Sequence, residues 1–364
     1  MTPLAIAVVA VGWVAGTILL WRVRTPDGLA AGDGGLVATM SVIVPARDEE
    51  LTLPRLLGSL ADQHAAPLEV IFVDDGSTDQ TAAVAERSGA RVVHASGPPP
   101  GWTGKTWACQ LGVEAARGQR LLFLDADTWL APNGVARLAA THGQLTPGGL
   151  LSVQPFHVTE RPYEQLSALC NVVAVMGSGI AAPRASEARV AFGPCLLCTP
   201  ESLAAAGGYE AVRHDSIEDM ALARAFRAAG RSVACLGGGA TVMFRMYPAG
   251  FRSLVAGWTK NLAGGARQAP AVAVLGAVAW VCALVIVAIA GLTVATWWAA
   301  VAWIAVAAQL AWMLGRLGSF RWWTSVLFPV PLVAFIALFA WSGISRGMRR
   351  RVTWRGRVID VGRG

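Results

Sequence analysis

The sequence predicts an α/β domain with a mostly parallel sheet, joined to transmembrane helices. Three observations carry this expectation. Between about residues 38 and 268, apolar runs of strand length alternate with helically spaced ones. The strand-like runs SVIVP, VIFV and LLFL each lead into acids. The chain of 364 residues is 54% hydrophobic and only 15% charged, and the excess apolar content concentrates in residues 4–20 and 270–342.

Taken in order, TMSVIVPARDEE (39–50) reads as a strand and an acidic turn, and LTLPRLLGSLADQ (51–63) as a helix. LEVIFVDDGSTD (68–79) is a second strand ending in acids, followed by the helix QTAAVAERSGA (80–90) and the short strand RVVHAS (91–96). GPPPGWTGKTWAC (97–109) reads as a loop made mobile by Gly101 and Gly104, and QLGVEAARG (110–118) as a helix. RLLFLDADTW (120–129) is the next strand. This βαβαβ rhythm implies parallel strands, whose ligands bind beyond the carboxyl ends. No GxGxxG follows the first strand, where ARDEE stands instead, so a dinucleotide dehydrogenase is excluded.

Asp125 and Asp127 would share one face if the strand continued through them. Like charges that close repel, so a cation is needed. Carboxylate oxygens suit a hard ion, Mg²⁺ or Mn²⁺, which also bridges to substrate phosphates. The acidic rim can hold a base or ribose through hydrogen bonds, and a phosphate through that ion. Among the cysteines, Cys195 and Cys198 form a CxxC, but no second pair completes a zinc site, and small buried residues are the expected reading.

Residues 1–24 carry an apolar stretch followed by WRVRT and are expected to be a transmembrane anchor whose C-terminal end is cytoplasmic. Residues 269–345 hold three apolar stretches, about 270–293, 297–314 and 324–343, edged by Trp297, Trp298, Trp322 and Trp323. Residues 346–364 form a basic tail. Three passes would put that tail outside, against its charge, unless one segment is re-entrant or interfacial; FPVP (328–331) is where a break is expected. The net charge of +7 gathers beside these segments, at Arg22, Arg24, Arg316 and Arg321 and in 346–357, which fits lipid headgroups and not nucleic acid. The apolar segments contain no Asp, Glu or His, which weakens a transporter reading.

SVIVPARDEE, VIFVDDGSTDQT, LLFLDADTW and SIEDMALARAFRAAG, in that order, resemble the family 2 glycosyltransferases with a GT-A fold, over most of residues 40–230. GWTGKTWAC, FRMYPAGFRSLVAGWTKNLAGGA and VTWRGR look like the membrane glucosyltransferases of carotenoid biosynthesis, the diaponeurosporenoate type. The resemblance implies an inverting, metal-dependent hexosyltransferase in the cell membrane, multi-pass, with its GT-A domain (38–268) cytoplasmic. It would use a UDP-sugar, glucose first, and a membrane lipid acceptor, a carotenoid acid or alcohol. Ceramide, diacylglycerol, hopanoid or polyprenyl phosphate are the alternative acceptors, and a non-catalytic sugar-nucleotide-binding protein the alternative class. GWTKNLAGGA stands where the polymerases of the family carry QxxRW, which argues against polymer synthesis.

Carried over residue by residue, the resemblance gives Asp219 the role of general base, with Glu218 its neighbour; both equally suit the first turn of a helix. Asp127 would hold the metal, and Asp125 the ribose or a metal-bound water. Asp75 would hold the nucleoside, with Pro45, Ala46 and Glu50 lining its pocket. Gly76 and Ser77 fit a turn and helix cap, and Glu50 also fits a solvated helix start. Lys105 could reach the diphosphate, with Trp102 and Trp107 covering the sugar or lipid. Arg245, Trp258, Lys260 and Asn261 would serve the acceptor or diphosphate, His214 and Asp215 could line the acceptor site, and Trp354, Arg355 and Arg357 could fold back towards it. Residues 245–267 and 161–180 suit interfacial helices, the first with Phe251, Leu254, Val255 and Trp258 on one face.

Overall fold

The computed structural model describes residues 2–28, 34–181, 188, 190–215, 217–348, 351–354 and 357–360. They group into a sheet unit (24–156, 187–248 and 353–364) and a helical unit (1–23, 157–186 and 249–352). Arg355 lies outside the described residues.

In chain order the elements are α1 (Pro3–Leu19), α2 (Gly34–Val37), β1 (Met40–Ala46), α3 (Leu53–Ala61), β2 (Glu69–Asp74), α4 (Thr81–Arg87), β3 (Arg91–His94), α5 (Gly104–Ala115), β4 (Arg120–Leu124) and β5 (Thr128–Leu130). They continue as α6 (Gly134–Leu145), β6 (Leu150–Gln154), β7 (Phe156–His157), α7 (Ala168–Ser178), β8 (Cys195–Cys198), α8 (Pro200–Ala205), α9 (Glu218–Ala228), β9 (Val233–Gly237) and β10 (Val242–Phe244). Last come α10 (Phe251–Gln268), α11 (Ala271–Thr293), α12 (Trp297–Leu317), α13 (Trp322–Val326), α14 (Pro329–Met348), β11 (Arg351–Trp354) and β12 (Arg357–Asp360).

The sheet unit is built on a seven-stranded sheet of order β3-β2-β1-β4-β8-β6-β9. β1 pairs in parallel with β2 and β4, β2 with β3, and β6 with β9, while β8 is antiparallel to both neighbours. The mostly parallel sheet expected from the sequence is therefore present, with β8 running against the rest. Alternation along the strands feeds two layers. Val42, Val44 and Phe72 pack with Leu53, Leu56, Val135 and Leu138 from α3 and α6. Ile71 and Val73 face the other way, onto Ala108 of α5. Cys195 and Cys198 lie three apart on β8, so they point to opposite faces, and both are buried and free. Burial pushes the Cys198 thiol up to about 12. The pair is core, as expected.

Two boundaries differ from the sequence expectation in ways that matter. α5 begins at Gly104, inside the stretch read as a mobile loop, because Thr103 Oγ1 accepts from Thr106 N at 3.2 Å and caps the helix. Lys105 thus stands in a helical first turn. β4 ends at Leu124, so Asp125 and Asp127 are not strand neighbours on a shared face. Thr128 N and Thr128 Oγ1 both donate to Asp125 O, at 3.0 and 2.7 Å, and this local turn sets the two acids.

In the helical unit, α11 and α12 are the two described helices long and apolar enough to cross a membrane; the apolar parts of α1 and α14, Pro3–Leu19 and Pro329–Ser345, are shorter. The break expected at FPVP falls between α13 and α14, with Pro329 opening the second piece. α1 meets α11 through Gly12 and Gly16, a small-xxx-small spacing not singled out in the sequence reading. A Cβ at Gly12 would lie 2.6 Å from Ala283 Cβ, and one at Gly16 would strike the fully buried Trp280 ring. Trp280 Nε1 donates to Gln309 Oε1 at 2.9 Å, and Gln309 Nε2 donates to Trp13 O and Thr17 Oγ1 at 2.7 and 2.8 Å. One amide thus joins α1, α11 and α12. Gly16→Val is expected to destabilise this unit by about 1–3 kcal/mol, read as an earlier thermal transition in detergent. An unchanged transition would mean that α1 contributes little to the packing.

Candidate active site

The nucleoside end of the site is built by the ends of β1 and β2. Asp75 follows β2, one residue beyond its last strand position, and its N–H donates to Ala46 O at 3.0 Å. Pro45 and Ala46 are buried at the end of β1, and Asp75 is buried beside them. Gly76 takes φ +69°, which lets the chain turn there while Asp74 Oδ1 accepts from Ser77 N at 3.0 Å. Glu50 is exposed; its N–H donates to Asp79 Oδ2 at 3.2 Å, and its Oε2 accepts from Gln80 N at 3.0 Å. Gln80 is the N-cap residue of α4, so this carboxylate meets the start of α4, not that of the helix that follows it in the chain.

The acids at the end of β4 meet the start of α9 across Lys105. Lys105 Nζ lies 2.8 Å from Asp125 Oδ1 and 3.0 Å from Glu218 Oε1. Enclosure works against the ammonium, but the Asp125 and Glu218 carboxylates outweigh it and hold Lys105 well above the usual lysine range. Asp219 stands beside Glu218 in the first turn of α9. Its Oδ2 accepts from Gly193 N at 2.7 Å, and its Oδ1 from Met220 N at 2.8 Å. Burial, reinforced by the Glu218 charge, pushes the Asp219 carboxyl up to about 7, against the pull of Lys105 and the two N–H donors. A carboxyl poised there can take a proton near neutral pH.

Asp127 is paired through the backbone with Arg245, whose N–H donates to Asp127 O at 3.2 Å. The register explains this: Val242, Met243 and Phe244 of β10 lie opposite Leu130, Trp129 and Thr128 of β5, so the next step brings residue 245 to residue 127. Trp258, Lys260 and Asn261 stand in α10 of the helical unit. There Trp258 is buried and donates from Nε1 to Ser167 Oγ at 2.9 Å. Leu254, Trp258 and Leu262 of α10 are buried, while Phe251, in its first turn, is 54% exposed. Trp102 and Trp107 pack edge to face with centroids 5.2 Å apart. The segment before the base meets the same loop: Thr103 N donates to Arg213 O at 3.0 Å, and Gly101, at φ +87°, leaves room for the His214 ring. Asp215 forms an ion pair with Arg224 at 3.8 Å.

Against known proteins, a model described as Glycosyl transferase family 2 matches residues 41–167. The 4,4'-diaponeurosporenoate glycosyltransferase of Staphylococcus aureus strain MRSA252 is 34% identical over 334 residues, 88% of this chain and 88% of that one. This chain belongs to glycosyl transferase family 2. The same relative from S. aureus strain NCTC 8325 matches at the same identity and coverage. The glycosyltransferase also shares its fold with a mannosyltransferase from Pyrobaculum calidifontis, solved in complex with GDP-mannose and Mn²⁺, at a TM-score of 0.53 and 18% identity over 93% of this chain and 98% of that one. It is an enzyme with a GT-A-like domain, related to a carotenoid glycosyltransferase.

Within the enzyme, the donors near the β4 end are all carboxylates, and they already gather round a cation, the Lys105 ammonium. That chemistry fits a hard divalent ion. Among the described residues no group of three or more His, Cys, Asp or Glu side chains closes round one point.

Sequence reasoning missed Gly193 and Pro194. Gly193 N–H holds Asp219, and Pro194 O accepts from Asp125 N at 3.0 Å, so one dipeptide positions both acids. FGPC resembles no motif; its meaning comes from β8 pairing beside β4, which brings residue 194 to residue 125. A Cβ on Gly193 would lie 3.1 Å from Lys105 Nζ and 3.3 Å from Asp219 Oδ2. Gly193→Ala is expected to lower kcat about tenfold or more by shifting these groups. Unchanged kinetics would show that the cluster tolerates displacement.

Proposed function

We propose that the enzyme transfers a hexose, glucose from UDP-glucose in the first instance, to a membrane lipid, a carotenoid acid or alcohol, with inversion at the anomeric carbon. The observation that carries this reading is the Asp219 carboxyl, pushed up to about 7 and held by Gly193 N–H, in one cluster with Asp125, Glu218 and Lys105. The name of the relatives supports a carotenoid acid as acceptor.

In this reading Asp75, Pro45 and Ala46 receive the nucleoside, with Asp125 on the ribose. Asp127 would hold Mg²⁺ or Mn²⁺, with Asp125 next to it. Bound there, the ion would neutralise charge on the departing diphosphate. Lys105, and Arg245 from across the β5–β10 pair, add positive charge for the same phosphates. Asp219 takes the proton of an alcohol acceptor as its oxygen attacks from the face opposite the diphosphate. A carboxylic acid acceptor is already ionised, and protonated Asp219 then donates a hydrogen bond that orients it. α10, with Phe251 exposed and its Leu254–Trp258–Leu262 stripe packed inward, suits a helix at the membrane surface, and Lys260 and Asn261 are the residues of it proposed to serve the acceptor or diphosphate.

We further read the protein as a multi-pass membrane protein with a cytoplasmic catalytic domain. α1 anchors it, α11 and α12 cross and return, and the shorter α14 is re-entrant, which keeps the basic tail inside. The test uses purified protein in detergent, Mn²⁺ or Mg²⁺, a panel of UDP-sugars and a carotenoid-containing lipid extract, following UDP release and lipid mass. Glucosylated carotenoid is expected. A glycosylated ceramide, diacylglycerol, hopanoid or polyprenyl phosphate in its place would overturn the acceptor assignment.

A further inference from the structure

We infer that Lys105 is a tethered counter-ion that keeps a divalent metal off the Asp125 carboxylate until the donor's diphosphate arrives, so that metal and nucleotide enter together. The inference rests on the metal-dependent reading above. Its basis is the position of one ammonium. Lys105 Nζ lies 2.8 Å from Asp125 Oδ1 and 3.0 Å from Glu218 Oε1, so the chain itself neutralises two acids of the cluster.

The ammonium is delivered from a fixed base. Thr103 caps α5 in front of Lys105, and Thr103 N and Thr106 Oγ1 both donate to Arg213 O, at 3.0 and 3.2 Å. What can move is the flexible four-carbon stem of the lysine. On one side Gly193 has no side chain to intrude; a Cβ there would press on Nζ at 3.1 Å. The space that admits the ammonium thus depends on a glycine.

A divalent ion beside Asp125 would face this ammonium across a shared carboxylate, and like charges at that range repel. Among the described residues no group of three or more ligating side chains compensates. Bare metal is therefore held poorly. A nucleoside diphosphate changes both terms at once. Its oxygens offer the metal further ligands. They also offer the ammonium an anionic partner, which frees Asp125. Metal and nucleotide then bind with positive coupling, and the coupling is reciprocal.

The experiment is Mn²⁺ binding to the full chain in detergent, read by electron paramagnetic resonance of free Mn²⁺, with and without UDP. Wild-type protein is expected to bind Mn²⁺ weakly alone and much more tightly with UDP. In Lys105→Met the affinity for Mn²⁺ alone is expected to rise about tenfold, and the enhancement by UDP to shrink. Lys105→Gln, a polar neutral replacement, should behave like Lys105→Met, and serves in its place if the methionine variant does not fold. Lys105→Arg keeps the charge and should keep the wild-type pattern. If the neutral variants bind Mn²⁺ alone no more tightly than wild type, while wild type binds Mn²⁺ with UDP, the gating is overturned and the metal-dependent reading stands. If wild type binds no Mn²⁺ even with UDP, the metal-dependent reading fails and takes this inference with it.

Discussion

Asp219→Asn lowers kcat on an alcohol acceptor by about 10²–10⁴-fold, the usual worth of a positioned general base, while UDP binding is kept. Asparagine keeps the size of the side chain but can accept from only one of the two N–H donors, Gly193 and Met220, so retained UDP binding is the control for geometry. The pH profile adds a sharper test. The Asp219 carboxyl is raised to about 7 by burial and the Glu218 charge, so below that pH it is mostly protonated and cannot accept a proton. For an alcohol acceptor, kcat/KM rises with pH through about 7 and then levels, and the rising limb disappears in Asp219→Asn. For a carboxylic acid acceptor the sign reverses. The nucleophile is ionised above about pH 5, the protonated form of Asp219 is the useful one, and kcat/KM falls as pH climbs through the same region. One profile therefore tests the base and sorts the two acceptor classes. A flat profile with both acceptors would remove Asp219 from the chemistry.

Asp127→Ala abolishes metal-dependent transfer, a loss of about 10³-fold or several kcal/mol of transition-state stabilisation. EDTA does the same to wild-type protein and nothing more to the variant. The reason lies in where the charge goes: the leaving diphosphate gains negative charge as the glycosidic bond breaks, and Asp127, in the turn after β4, is the residue proposed to hold the ion that neutralises it. Arg245, tied to Asp127 through the backbone, remains in the variant and supplies only part of the neutralisation. Wild-type protein fully active in EDTA would overturn both the metal and the role of Asp127.

Much of this enzyme was legible in the chain because the signals are local. Alternation in SVIVP and VIFVD, turn chemistry in DDGSTD, and helical spacing in 218–228 are set by neighbours within a few residues, and each appears as a strand, turn or helix in the expected order. The apolar content of 271–317 likewise announces two long helices by composition alone. The break between two helices at FPVP follows from proline geometry, again a local cause.

What escaped the sequence depends on which segments meet. The sequence left Glu50 between a pocket and a helix start, and did not show that its carboxylate accepts from Gln80 N, a partner thirty residues away. Lys105 looked like part of a mobile loop, but a capping pair makes it helical, and its partners come from β4 and α9. Gly193 carries no motif; it matters because β8 inserts antiparallel beside β4 and carries residues 193–194 to Asp125 and Asp219. The same holds for Gly12 and Gly16, whose missing side chains mean nothing until Ala283 and Trp280 lie against them. The sequence by itself determined the strands, the helices, their order and the kinds of acid at the strand ends, since these follow from side-chain periodicity and turn preference. Only the tertiary structure decided which acid is paired, which is raised towards neutrality and which glycine makes room. Charge pairing, desolvation and close approach are properties of contacts between distant segments, and one-dimensional spacing does not encode them.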